Sequence, residues 1–154
     1  MKTIERLVLD TSAYSHFREG HPRVLASLTA AVHVFVPVIV LGELEAAFEL
    51  GSRVAENRRV LAEFLALPYV SVLDVTPDTV RHYARIFVSL RTAGTPIPLN
   101  DVWIAASTLQ FHGHLLTSDR DYLRVPSLES TLIETPRAPG RYSMSTSLPR
   151  RLRR

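Results

Sequence analysis

Short runs rich in branched apolar residues alternate along this chain with longer stretches of helical character, and that alternation leaves few folds open. The runs lie at residues 4–9, 33–36, 70–75 and 114–117, with 132–134 a shorter fifth. A helix-start signal follows each of the first three: Asp10-Thr11-Ser12, then Pro37, then Thr76-Pro77-Asp78. Helices are accordingly expected after Asp10, over 38–50 up to Gly51, from a Ser52 cap to about residue 67, over 77–93 up to Gly94, and from an Asn100 cap to His112. Strands joined through helices pair in parallel and must be covered on both sides. The expected class is therefore α/β, a central parallel sheet with helices on both faces.

A length of 154 residues suits one domain and is too short for two well-cored ones. Cysteine is absent, which excludes a disulfide scaffold, a thiolate zinc site and a cysteine nucleophile, and suits a reducing cytoplasm. The longest apolar run, residues 34–41, is broken by Pro37 and falls well short of the roughly 20 residues of a membrane helix. Charges at Lys2, Glu5, Arg6 and Asp10 leave no signal-peptide core. No membrane association and a cytoplasmic location are expected.

The net charge of +3 conceals an asymmetry. Six of the 18 basic residues are arginines within 137–154, a stretch with no acid, so the preceding body carries 12 bases against 15 acids. The division expected is a domain over 1–135 and a flexible basic extension over 136–154, where Pro, Gly, Ser and Arg offer little apolar surface to offset ordering entropy. Such an arm either keeps the chain soluble or attracts phosphate.

In open parallel sheets, functional groups gather beyond the carboxyl ends of the strands, where Asp10 and Asp119 both fall. Each has a simpler reading, as a helix cap or a turn residue. Glu43 is harder to dismiss, because a helical wheel sets it beside Ile39, Val40, Ala47 and Leu50, away from Glu45 and Glu49. An unpaired carboxylate on such a face takes up a proton unless a cation or hydrogen-bond donors meet it. Asp101 sits in the first turn of a helix, where the macrodipole alone favours an acid. Four carboxylates drawn within about 4 Å would repel by roughly 4 kcal/mol per pair at an effective dielectric near 20. A multivalent cation resolves that, and oxygen-only ligands suit Mg2+ or Mn2+ better than zinc. The one tight histidine pair, His112-Gly113-His114, reads as an ordinary helix-to-strand junction.

Leu9-Asp10-Thr11-Ser12, Leu41-Gly42-Glu43-Leu44, Asn100-Asp101-Val102-Trp103-Ile104-Ala105-Ala106 and Leu116-Thr117-Ser118-Asp119 together resemble the PIN domain, specifically VapC-type toxins, in order and spacing over about 135 residues. The resemblance implies a three-layer α/β/α fold and a metal-dependent endoribonuclease that hydrolyses RNA by metal-activated water, leaving 5'-phosphate and 3'-hydroxyl ends. It also implies a homodimer and a small VapB-type antitoxin whose tail blocks the site. Position by position, Asp10, Glu43, Asp101 and Asp119 match the acidic quartet that would be catalytic and hold one or two Mg2+ or Mn2+ ions. Ser12 matches a supporting hydroxyl and Asn100 a helix cap near the site. Thr11 reads as serving the backbone turn. Asp121 is a second acid beside Asp119 whose membership the motif leaves open, and the arginine-rich extension departs from the usual end of such domains.

RNA must be drawn to an acidic pocket, so basic groups are expected at its rim, with Arg18, Arg91 and Arg120 as candidates. Tyr14 and Phe17 are read as core or interface rather than base-stacking residues. The alternative is a catalytically inactive PIN-like module that only binds RNA or a protein. A phospho-acceptor receiver domain is disfavoured because Lys2 is the only lysine. An Asp-x-Asp phosphatase is disfavoured because Asp10 is followed by Thr11 and Ser12.

Overall fold

The computed structural model describes residues 2–134 and 148–154. The chain runs β1 (Ile4–Leu9), α1 (Thr11–Arg18), α2 (Pro22–Ala30), β2 (Ala31–Pro37), α3 (Val38–Leu50), α4 (Val54–Leu65) and β3 (Val70–Leu73). It continues through α5 (Pro77–Thr92), α6 (Leu99–Gln110), β4 (His114–Thr117), a 3-10 turn (Arg120–Arg124), β5 (Ser130–Leu132) and a second 3-10 turn (Arg150–Leu152). All strand pairings are parallel, in the order β3-β2-β1-β4-β5. This is the three-layer α/β/α architecture expected from the alternation of runs.

Strand order fixes where function can sit. The chain builds outward from β1 through β2 to β3, then returns to add β4 on the other side of β1. With right-handed crossovers, that reversal moves the later helices to the opposite face and opens a crevice at the carboxyl ends of β1 and β4. Leu7, Val8 and Leu9 are fully buried, as a central strand covered on both faces requires. Their partners His114, Leu115 and Leu116 set the register, so Asp10 emerges beside Thr117. The Asp10 amide still donates to the Leu116 carbonyl at 3.3 Å.

Several local expectations shift. The segment after Asp10 holds two helices: α1 ends at Arg18, Gly20 turns the chain in the left-handed region at φ 78°, and Pro22 starts α2. Pro98 takes the cap position of α6, its carbonyl accepting from the Val102 amide at 3.2 Å, so exposed Asn100 falls inside the first turn and caps nothing. Likewise α4 begins after Arg53 with no side-chain cap, rather than from Ser52. The last strand is Ser130–Leu132, not 132–134. On α3 the buried stripe is Val40, Leu44 and Phe48, while Leu50 is 91% exposed, so Glu43 lies on the flank of the apolar face rather than within it.

The α6–β4 junction is ordinary, as expected, but its glycine has a different task from ending the helix. His112 adopts the left-handed conformation at φ 51°, while a Cβ on Gly113 would stand 2.6 Å from the Val8 Cγ2 atom. Gly113 is there because β4 enters the sheet against β1 without room for a side chain.

Of the expected flexible extension, residues 136–147 lie outside the described residues. Residues 148–154 depart from that expectation. Leu148 and Leu152 are buried, the Tyr69 hydroxyl donates to the Leu152 carbonyl at 2.7 Å, and the Arg154 guanidinium lies 3.9 Å from the centre of the Tyr69 ring. Arg154 also donates to the carbonyls of Leu28 (2.8 Å) and Ala31 (2.7 Å), at the carboxyl end of α2 where a cation is favoured. Two buried leucines supply the apolar surface that composition alone understated. No helix among the described residues is long and apolar enough to cross a membrane.

Candidate metal centre

Asp10 ends β1 and caps α1, and three protein donors hold it. Its Oδ1 accepts from the Ser12 hydroxyl (2.7 Å) and the Ala13 amide (2.8 Å), and its Oδ2 from the Thr117 hydroxyl (2.5 Å). Thr117 comes from β4, 107 residues away in sequence, and its Oγ1 also accepts the Asp119 amide at 2.9 Å. Ser12 makes a second link, accepting the Ser118 amide at 3.0 Å. The ends of β1 and β4 are thus laced together by two hydroxyls, those of Thr117 and Ser12. Asp10 is 4% exposed. Burial raises its pKa and the Asp119 charge raises it further, against the lowering by the Thr117, Ser12 and Ala13 bonds.

Glu43 reaches the crevice from α3, which packs against α1 and α6. Its Oε1 accepts the Thr11 hydroxyl at 2.9 Å, so Thr11 does more than serve the backbone turn. Asp101, in the first turn of α6, accepts the Tyr122 hydroxyl on Oδ1 at 3.1 Å. Asp119 caps the 3-10 turn, its Oδ1 accepting the Asp121 amide at 2.9 Å. Carboxylate oxygens of Asp101, Asp119 and Asp121 lie within 4.8 Å of one another. Asp121 also meets Arg124 at 3.4 Å. Burial pushes Asp101 up to about 6, the Tyr122 bond opposes this, and the charges of Asp119, Glu43 and Asp10 add to the rise. The charges of Asp10, Glu43 and Asp119 therefore all act on Asp101, and Asp121 stands with Asp101 and Asp119 in the tightest trio.

These residues fit a small, hard divalent cation. The donors are all oxygens, and two oxygens on opposite sides of Mg2+ stand about 4.2 Å apart given bond lengths of 2.0–2.1 Å. Burial, and after it the charges of Asp119, Glu43 and Asp10, raise the Asp101 pKa, and a bound cation would counter both. Among the described residues no histidine belongs to the cluster. Thr117 and Tyr122 escaped sequence reasoning. A threonine closing an apolar run offered a faint signal for the first; for the second, only its distance of three residues from Asp119.

The proposed rim residues separate. Arg120 is exposed next to Asp119, and Arg91 is exposed on α5. Arg18 is 6% exposed, its Nη1 donating to Asn57 Oδ1 at 3.3 Å between α1 and α4. It is a core residue, because the last turn of α1 faces α4 rather than solvent. Tyr14 and Phe17 are buried against Phe64, with ring centroids 5.8 and 5.0 Å from it.

Comparison with known proteins adds three findings. The PIN domain family matches residues 7–128. Ribonuclease VapC4 of Mycobacterium tuberculosis is 30% identical over 94 residues, covering 61% of this chain and 72% of that protein. Among solved structures, VapBC2 from Rickettsia felis bound to a promoter DNA fragment aligns with a TM-score of 0.73 and 20% identity, over 84% of this chain and 99% of that one. VapBC-5 from Mycobacterium tuberculosis, described as a member of the VapBC family of toxin-antitoxin systems, aligns with a TM-score of 0.65 and 25% identity, over 84% and 98%.

Proposed function

The chain belongs to the PIN domain family, alongside VapC-type ribonucleases, and from that premise we propose that it is a Mg2+- or Mn2+-dependent endoribonuclease acting in the cytoplasm as the toxin of a toxin-antitoxin pair. The observation that supports this reading is the gathering of Asp101, Asp119 and Asp121 carboxylate oxygens within 4.8 Å of one another, with the charges of Asp10 and Glu43 acting on Asp101 and a protein hydroxyl or amide bound to Asp10, Glu43, Asp101 and Asp119. Pinning of this kind holds the acids in place against their mutual repulsion.

Asp101, Asp119, Asp10 and Glu43 would hold the ion or ions, with Asp121 beside them. When bound, a divalent ion supplies a water acidic enough to act near neutral pH and neutralises charge on the scissile phosphate. The chain's own residues do the rest. Ser12 and Thr117 orient Asp10, Thr11 orients Glu43, and exposed Arg120 offers a cation to the RNA backbone at the rim. The antitoxin would be a small VapB-type protein, in line with the partner named for the VapBC-5 neighbour. Exposed Val80, Val88 and Leu99 on α5 and α6 give apolar surface for a homodimer.

Incubation of labelled structured and unstructured RNAs with Mg2+, Mn2+ or EDTA, beside an Asp10→Asn variant, tests the reading. Cleavage should require the metal and should fall in the variant by more than the 10–100-fold typical of losing an outer hydrogen-bond partner. Equal cleavage by both proteins, or cleavage indifferent to EDTA, overturns it. RNA binding without cleavage in any metal points instead to an inactive binding module.

A further inference from the structure

Tyr122 is 1% exposed, and among the described residues its hydroxyl has one partner, Asp101 Oδ1. A phenylalanine would fill the same space without burying a polar group, so packing does not explain the hydroxyl. The residue belongs to the 3-10 turn Arg120–Arg124, the segment that Asp119 caps and that carries Asp121. Asp101 comes from a different element, α6. The Tyr122 hydroxyl is therefore a strut between the two elements that contribute the tightest trio of acids. Asp101 makes no other hydrogen bond among the described residues, which leaves Oδ2 open. Glu43 is bound in the same way, with Oε1 held by Thr11.

We infer that Tyr122 is a positioning residue of the metal centre: by holding Oδ1 of Asp101, it fixes the orientation of a carboxylate that would hold the ion. This rests on the proposed metal-dependent reading and adds to it a residue that would orient one of the ligands. Hydroxyls that fix a ligand's orientation contribute to affinity without touching the ion, and their loss costs about 10–100-fold.

The test measures Mn2+ binding without RNA, counting free Mn2+ by its electron paramagnetic resonance signal, on wild type, Tyr122→Phe, Asp101→Asn and the double variant. Melting in EDTA verifies that each is folded. Tyr122→Phe should weaken Mn2+ binding by about tenfold. In the Asp101→Asn background the same change should add nothing, a result that a merely structural tyrosine would not produce. Unchanged affinity in Tyr122→Phe, or an equal loss in both backgrounds, overturns this inference and leaves the proposed function standing. A wild-type chain that does not bind Mn2+ overturns both. Should Tyr122→Phe fail to fold, wild-type crystals grown with Mn2+ decide the matter. Tyr122 still on Asp101 with Asp101 bound to the ion supports the inference; Asp101 away from the ion, or Tyr122 turned away from Asp101, overturns it.

Discussion

Two side chains hold much of the site's electrostatics. Thr117 donates to Asp10 and accepts from the Asp119 amide, so one hydroxyl serves two elements of the centre. Thr117→Val keeps the shape and removes both bonds, leaving a buried carboxylate oxygen and an amide unsatisfied. The expected loss is about 1–3 kcal/mol of unfolding free energy, read from urea denaturation in EDTA. Asp101 makes a second prediction, through pH. Its pKa rises from 3.8 to about 6 on folding, chiefly by burial. Between these values the folded metal-free chain holds a proton that the unfolded chain has released. The stability contribution of this group is therefore greatest below about pH 4 and is lost as pH rises through about 6. Asp101→Asn should melt a few degrees above wild type in EDTA at about pH 7, and the difference should vanish near pH 4. With Mn2+ present the order reverses at neutral pH, because wild type then gains the ion's binding energy and the variant does not.

The β1–β4 pairing sets the geometry to which these side chains respond. Gly113 lets β4 close against Val8, and Gly113→Ala would drive a Cβ to 2.6 Å from Cγ2 of the fully buried Val8. Overpacking of that kind costs about 1–3 kcal/mol. Combined with Val8→Ala, which removes the obstructing methyl groups, the cost should be less than the sum of the two single changes, as a double-mutant cycle in urea would measure. The helices show how far local signals reach. Thr76 begins α5 as its sequence suggested, its amide donating to Thr79 Oγ1 at 3.0 Å. Asn100 and Ser52 carry equally good cap chemistry and cap nothing, because the cap position falls two residues before the one, at Pro98, and one residue after the other, at Arg53. Cap preference belongs to a residue type, whereas the cap position depends on where the preceding loop delivers the chain.

Taken whole, the molecule carries an acid-lined crevice at the carboxyl ends of β1 and β4, while its last described residues dock where β2 and β3 begin. Leu152 is fully buried beneath Tyr69 and Arg154. Leu152→Ala should cost about 2–5 kcal/mol, and a chain in which residues 148–154 were merely an appended arm would show no change in denaturant midpoint. The alternation of apolar runs and helix starts made the parallel α/β fold legible, and the strand-end positions of Asp10 and Asp119 made the site's location legible, because both follow from periodicities of a few residues. The oxygen of each carboxylate that a hydroxyl holds, the entry of Asp121 into the trio, the burial of Arg18 and the docking of Leu148 and Leu152 were not legible. Each depends on side chains brought together from separate elements, Thr117 and Asp10 across 107 residues among them. Strand order and crossover handedness decide such meetings, and no local pattern encodes them.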